Sequence, residues 1–126
     1  MNISKTLSNL SRWPLFLTYT VLLFVAYTIS LDQIPAAVLR VNDKLMHFLD
    51  FLLLALLSFR TFRASHSLFS RQAETKAVAF SLLYGAFLEW AQKNTVGRSP
   101  SVADWVADAL GVFLAGFIFA TSKLLP

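Results

Sequence analysis

Cysteine is absent from this chain, and charged residues are scarce. The sequence has 126 residues, of which 14% are charged and 56% are hydrophobic. A soluble domain of this size carries about a quarter charged residues. Without cysteine, a disulfide, a thiolate metal site and a cysteine nucleophile are all excluded. The composition therefore disfavours an ordinary soluble domain and predicts one small membrane domain covering residues 1–126.

Acidic residues are fewer than basic ones, which leaves a net charge of +4. A basic chain can bind nucleic acid, but here lysine and arginine concentrate in the short segments between apolar runs. That distribution is the one described by the positive-inside rule of membrane proteins. We therefore predict no nucleic-acid partner.

Four apolar runs are long enough to cross a bilayer as helices, if the middle two are extended by a few residues. Helices are expected because open strands would leave backbone groups unpaired in lipid, and the runs show no alternation of period two. The predicted fold is an all-α membrane protein, a bundle of four transmembrane helices. The predicted spans cover about residues 13–31, 45–62, 77–92 and 105–122.

The basic residues also predict the orientation of the bundle. The first run lacks a clear signal-peptide cleavage site and is predicted to be a retained helix. With four spans, the side holding both termini and the middle loop has seven lysines and arginines, and the other side has four. Both termini are therefore expected to be cytoplasmic.

The few polar residues within the apolar runs fall on helical stripes, and these stripes reach the extracytoplasmic side in this topology. Each stripe shares one helix face at 3.6 residues per turn. These faces should turn inward, because a carboxylate facing lipid costs roughly 2.5–3.5 kcal/mol near the bilayer centre. The stripes are Asp43, His47 and Asp50; Ser81, Gly85, Glu89 and Gln92; and Asp104, Asp108, Gly111 and Ala115.

The segment before the fourth run is predicted to be an ordered cap over these stripes. Gly97 and Pro100 indicate a turn. Ser101 is expected to cap the fourth helix, with Asp104 at the third position of a capping box. Arg98 would then lie over the carboxylates. The candidate ligand-binding residues are Asp43, His47, Asp50, Glu89, Gln92, Arg98, Asp104 and Asp108.

Other polar residues have simpler interpretations. Lys44 is predicted to extend towards the membrane interface. Gly111 and Ala115 are expected to let the fourth helix pack closely against a neighbour. Tyr19, Tyr27 and Tyr84 are predicted to be packing residues.

The order of these motifs resembles the VanZ-like family of bacterial membrane proteins. The resemblance runs from about Asp43 to Gly116, and its specific part is the run from Glu89 to Gly111. It implies about four spans in a bacterial cytoplasmic (inner) membrane and an extracytoplasmic polar cluster. It also implies a cell-envelope context linked to glycopeptide-antibiotic sensitivity, but no defined reaction. Asp108 departs from the pattern, since many relatives have Asn there. The shared motifs are Asp43-Lys44-x-x-His47-Phe48, Tyr84-Gly85-x-x-x-Glu89-x-x-Gln92 and Gly97-Arg98-Ser99-x-x-x-x-Asp104-x-x-x-Asp108-x-x-Gly111.

We expect the polar residues to bind an envelope lipid or its phosphate headgroup. Arg98 would contact the phosphate, and the carboxylates could hold a bridging divalent cation, the one cofactor considered. No residue is assigned as a metal ligand. His47 and His66 cannot form a pair of metal ligands, because they fall on opposite sides of the predicted bundle.

Two alternative functions stay open. A membrane hydrolase or transferase acting on a lipid-linked phosphate would use His47 or Glu89 as general base and Arg98 to stabilise developing charge. The sequence has no serine elbow, zinc histidine pair or glycine-rich phosphate loop, so no catalytic residue is assigned and a binding protein is favoured. The other alternative is a structural subunit of a membrane complex. Expected partners are membrane lipids, with a homodimer or a larger complex left open.

Overall fold

Helices make up most of the residues that the structure describes. The computed structural model describes residues 3–65, 71–95, 97, 99 and 101–121. Within these ranges there is no strand, so the all-helical prediction is confirmed. The helices are α1 (Ile3–Thr28), α2 (Ala36–Leu39), α3 (Asp43–Ser65), α4 (Arg71–Gln92) and α5 (Val102–Thr121), and a 3₁₀ turn covers Leu31–Gln33.

The ends of the long helices differ from the ends of the predicted spans. α4 begins at Arg71 rather than near residue 77, because the intervening Gln, Ala, Glu and Lys are good helix formers. α1 begins at Ile3, continues through Pro14 and ends at Thr28, before the expected limit at residue 31. The short α2 was not predicted. Ser122, the last residue of the predicted fourth span, lies outside the described residues.

Two of the described helices are long and apolar enough to cross a membrane. They are Asp43–Arg63, with a mean hydropathy of 1.6, and Val102–Thr121, with a mean hydropathy of 1.8. α1 and α4 are not among them, and both carry several hydroxyl, amide or charged side chains. The four-span arrangement therefore remains a prediction.

Helix α3 is the centre of the bundle. It contacts α1, α4 and α5, and its contact with α5 is the most extensive. At Gly111 of α5, an added Cβ would overlap the carbonyl oxygen of Phe48 and lie 2.9 Å from the amide nitrogen of Leu52. The expectation that Gly111 permits close helix packing is therefore confirmed. The buried core contains Phe16, Leu23, Tyr27, Phe51, Leu54, Ala55, Phe59, Ala77, Leu88, Val112, Ala115 and Phe119.

Large apolar side chains stay exposed on the outer faces of all four long helices. On α3 they recur every four residues, at Leu45, Leu49 and Leu53. Extended apolar surface of this kind marks a face that contacts lipid or another protein. The other exposed bands contain Leu15, Leu17, Val21, Leu22, Phe24 and Val25 on α1, Leu83, Phe87 and Trp90 on α4, and Val102, Val106, Leu110, Phe113 and Phe117 on α5.

Candidate functional site

The polar ends of α3, α4 and α5 meet at one end of the bundle. His47 comes from α3, Glu89 from α4, and Asp104 and Asp108 from α5, and all four are buried. We call these four residues the polar cluster. Their inward orientation agrees with the stripes read from the sequence, because the helical period places each on the face that packs against the neighbouring helices.

His47 and Asp108 are the most deeply buried pair of the polar cluster. His47 Nδ1 lies 2.8 Å from Asp108 Oδ1, and the two residues are only 3% and 1% exposed. When Asp108 is ionised and the imidazole is neutral, the Nδ1–H group donates a hydrogen bond to the carboxylate, and Nε2 is left as an acceptor. A carboxylate that holds an imidazole in this way fixes both its tautomer and its orientation.

Nε2 of His47 faces two further carboxylates. It lies 3.7 Å from Asp104 Oδ2 and 3.8 Å from Asp43 Oδ1, beyond hydrogen-bond distance in both cases. The two imidazole nitrogens are therefore surrounded by three acidic side chains, contributed by α3 and α5.

Lys44 crosses from α3 to α5 and pairs with Asp104. The lysine lies 3.4 Å from Asp43 as well. It was expected to extend towards the membrane interface, and its half-exposed side chain instead bridges two helices at the mouth of the polar cluster. The bridge was not visible in the sequence, because the partners are separated by 60 positions.

The capping box expected at the start of α5 is not formed. The Ser101 N–H donates to Glu89 Oε2 at 2.9 Å instead of to Asp104. Asp104 is engaged by Lys44, so the carboxylate that satisfies the free amide comes from α4. Glu89 thereby ties the end of α4 to the beginning of α5.

The second oxygen of Glu89 has no partner among the described residues. Oε1 is buried and accepts no hydrogen bond there, and the residue is only 8% exposed. Glu89 also lines a crevice of about 380 Å³ between α4 and α5, together with Ala86, Ser101, Val102 and Trp105. The arrangement leaves a buried acceptor next to a surface opening.

Asp50 faces α1 rather than the polar cluster. Its Oδ2 accepts a hydrogen bond from the Tyr27 hydroxyl at 2.7 Å, and its backbone carbonyl accepts one from Tyr19 at 3.0 Å. The Tyr27 ring packs edge-to-face on His47, with 4.8 Å between the ring centroids. Tyr27 therefore links Asp50 to the polar cluster, a role that the packing prediction missed. One sequence feature could have indicated this role. Tyr27 lies at the end of the first apolar run that the predicted topology places on the same side as the polar stripes.

The remaining candidate residues are placed less centrally. Asp43, the first residue of α3, shares the face of His47, as the stripe predicts, but its side chain is 68% exposed rather than buried. Gln92 is buried in the last turn of α4, and its backbone carbonyl accepts a bond from the Thr95 N–H at 3.0 Å. Arg98 and His66 lie outside the described residues, so their positions stay predictions.

An apolar crevice opens beside the polar cluster. It has a volume of about 250 Å³ and lies between the end of α1, the short segment after it and the beginning of α3. Its walls are mainly aliphatic, and Tyr27, Asp43 and Asp50 provide its polar edge. The lining residues are Ala26, Tyr27, Ile29, Leu31, Ile34, Pro35, Val38, Leu39, Val41, Asp43, Met46 and Asp50.

The loop after α4 packs over the end of α1. Gly97 has a φ of +79°, the left-handed conformation that glycine adopts readily, and the expected turn at this position is confirmed. A Cβ at Gly97 would lie 3.3 Å from the Leu31 side chain. Thr95 donates to the Thr28 carbonyl at 3.2 Å. The loop therefore helps to hold α1 against the rest of the bundle.

Comparison of the chain with protein-family models, with curated proteins and with solved structures found no match. The resemblance to the VanZ-like family rests on the motifs alone and stays a prediction.

Proposed function

We propose that this chain is a small multi-pass membrane protein that binds an amphiphile, an envelope lipid or lipid-linked phosphate, at the extracytoplasmic end of a four-helix bundle. One observation carries the proposal. The apolar crevice and the polar cluster are adjacent, and Tyr27 connects them, since it lines the crevice and packs on His47. A lipid has two parts that match these features, an apolar chain for the crevice and an ionic headgroup for the polar cluster.

The membrane part of the proposal is supported by the surface of the bundle. Exposed apolar bands run along α1, α3, α4 and α5, although among the described helices only α3 and α5 are long and apolar enough to cross a membrane. We infer that all four cross the bilayer, with both termini in the cytoplasm, because the lysine and arginine distribution favours that orientation. The motif order supports membership of the VanZ-like family and an inner-membrane location.

The size of the crevice favours partial enclosure of the ligand. Pockets that enclose a drug-sized ligand measure about 300–1,000 Å³. A cavity of about 250 Å³ accommodates a segment of an acyl or prenyl chain. The rest of the chain would lie along the exposed apolar face of the bundle.

The headgroup part of the proposal needs positive charge, because the polar cluster is rich in carboxylates. Lys44 is half-exposed at the mouth of the polar cluster and is one cation that can meet a phosphate. Arg98 is expected to be the second, as a bidentate donor to phosphate oxygens. Its position rests on the sequence, since it lies outside the described residues.

Filling the apolar crevice tests the proposal. Ala26→Trp places a large side chain at the crevice wall, and Val21→Trp places the same side chain on the exposed face of the same helix, away from the crevice. Lipid that co-purifies with each full-length variant in mild detergent is measured by mass spectrometry. We expect a specific envelope lipid to be depleted at least tenfold with Ala26→Trp and retained with Val21→Trp. Identical lipid profiles in wild type and both variants would contradict the proposal.

Catalysis on a lipid-linked phosphate is the second candidate, and the His47–Asp108 pair favours it. A buried carboxylate orients the imidazole through Nδ1, which is the arrangement of a general base. Purified protein would be assayed for turnover of a labelled polyprenyl phosphate. Activity lost in His47→Gln and Glu89→Gln but kept in Glu74→Gln, a substitution at the opposite end of α4, would establish an enzyme. No turnover by wild-type protein that retains the lipid would exclude this substrate and leave the binding function.

A further inference from the structure

Three helices bring potential metal ligands to one point. His47 of α3, Glu89 of α4 and Asp108 of α5 each offer one ligand atom, and these atoms lie within 4.8 Å of one another. All three residues are buried. One imidazole and two carboxylates from different helices form a donor set with the ligand chemistry of a divalent transition-metal site.

The unpartnered oxygen of Glu89 points independently to a ligand. Oε1 has no hydrogen-bond donor among the described residues, although the residue is only 8% exposed. A buried carboxylate oxygen without a donor is unfavourable, because it loses its water and gains nothing in return. A cation placed between Glu89 and the His47–Asp108 pair would satisfy it.

The charge balance around the polar cluster also favours a cation. Among the described residues, the three buried carboxylates of the polar cluster lie beside one lysine and one histidine. Buried carboxylates that are not matched by positive charge are expensive, above all within a membrane. The three are Glu89, Asp104 and Asp108, and the two basic groups are His47, which pairs with Asp108, and Lys44, which pairs with Asp104.

The geometry of the His47–Asp108 pair is compatible with direct ligation. Two neighbouring ligands, each about 2.0–2.2 Å from one ion, are separated by about 2.8–3.6 Å in tetrahedral or octahedral geometry. Nδ1 of His47 and Oδ1 of Asp108 are 2.8 Å apart. Ion binding would displace the proton that this pair shares, since a histidine ligand must be neutral and unprotonated at the ligating nitrogen.

Access and space are present at the same place. Glu89 lines the crevice between α4 and α5, which gives an ion a route from the surface. Gly85 lies against Asp108, and a Cβ there would approach Asp108 Oδ2 to 3.1 Å. A glycine at this position therefore keeps room around the carboxylate.

We propose that His47, Glu89 and Asp108 bind one divalent transition-metal ion, of the class of Mn²⁺ or Zn²⁺, at the extracytoplasmic end of the bundle. Asp104, which pairs with Lys44, lies beside this metal site, 3.7 Å from His47 Nε2. A bound cation would also reduce the repulsion between the carboxylates and a phosphate headgroup. The metal site itself does not depend on lipid binding, so the two proposals can fail separately.

The test uses the full-length protein in detergent, freed of metal with a chelator and then titrated with Mn²⁺ alone. Bound Mn²⁺ is measured by electron paramagnetic resonance, and Zn²⁺ is added as competitor. We expect about one Mn²⁺ per wild-type chain, displaced by Zn²⁺, and a rise of the thermal unfolding midpoint on metal binding. No binding and no rise in the wild-type protein would overturn the proposal without reference to any variant.

Matched variants assign the ligands. Glu89→Gln and Asp108→Asn keep the side-chain size and remove one charged ligand each, and both should weaken Mn²⁺ binding by more than about tenfold. Glu74→Gln removes a carboxylate from the other end of α4 and should bind as the wild type does. Circular dichroism checks that each variant is helical. Equal Mn²⁺ affinity in all three variants would show that the ion binds elsewhere, and the lipid assay on the same samples reports the proposed function separately.

Discussion

The Tyr27 hydroxyl donates a short hydrogen bond to the Asp50 carboxylate. The Tyr27 hydroxyl is 2.7 Å from Asp50 Oδ2, and the same ring packs on His47. Hydrogen bonds to a charged group contribute about 1.5–3 kcal/mol, against about 0.5–1.5 kcal/mol for neutral pairs. The bond to Asp50 is therefore expected to matter more than the other tyrosine bonds of the bundle.

Tyr27→Phe should destabilise the protein by about 1.5–3 kcal/mol, because it removes a donor from a partly buried carboxylate. Tyr84→Phe is the matched control, since the Tyr84 hydroxyl donates to the neutral Thr20 carbonyl at 2.5 Å. Its cost should be about 0.5–1.5 kcal/mol. Both are measured as free energies of unfolding in mixed detergent micelles. An equal or larger cost for Tyr84→Phe would show that Asp50 does not depend on Tyr27.

At this scale, the sequence could predict burial but not partners. Helical periodicity was sufficient to place His47, Glu89, Asp104 and Asp108 on inward faces, because lipid disfavours the alternative. It could not show that Lys44 pairs with Asp104 or that Tyr27 pairs with Asp50. Those pairs depend on which helices are neighbours and on how they are offset along their axes, and a single sequence contains neither. Asp43 lies on the face of His47, as the stripe predicts, but it is exposed at the first residue of α3.

The contact between α3 and α5 is the structural basis of the polar cluster. It brings His47 to Asp108 and Lys44 to Asp104, and it is the most extensive helix contact. The contact is close because α5 has a glycine, Gly111, where it crosses the backbone of α3. This close approach was predictable, since a small residue on the inward face of a membrane helix lets two backbones come together.

Gly111→Ala should separate α3 from α5 and destabilise the bundle by about 1–3 kcal/mol, because the added methyl overlaps backbone atoms that cannot rotate away. Gly116→Ala is the matched control on the same helix. Its Cβ would meet only the Phe59 ring, at 3.6 Å, an ordinary contact. Alanine there should be neutral or stabilising by up to about 1 kcal/mol, from its better helix propensity. Unfolding in mixed micelles measures both.

The same pair of variants reports on the metal site. If Gly111→Ala moves α5, it should also weaken Mn²⁺ binding, whereas Gly116→Ala should not. A Gly111→Ala protein as stable as Gly116→Ala would show that the two helices are not in close contact.

At the scale of the whole molecule, the helical fold of the described residues is confirmed, and the position of the helices in a membrane is inferred. The apolar runs were sufficient to find four long helices, because an open chain in lipid can satisfy its backbone hydrogen bonds only as a helix. They could not give the helix ends, since polar turns such as the first turn of α4 are helical for reasons of propensity rather than hydropathy. They also gave no sign of α2 or of the apolar crevice, which form from segments between the runs.

Orientation decides whether the polar cluster opens to the envelope or to the cytosol. The absence of cysteine makes the natural chain a clean background for single-cysteine labelling. Asn94, in the exposed turn after α4, is predicted to be extracytoplasmic. Ser67, whose sequence position is between the second and third predicted spans, is predicted to be cytoplasmic. In intact cells, a membrane-impermeant maleimide should label Asn94→Cys strongly and Ser67→Cys only after permeabilisation. The reverse pattern would place the polar cluster at the cytoplasmic face, and a cytosolic ligand would then have to replace the envelope lipid.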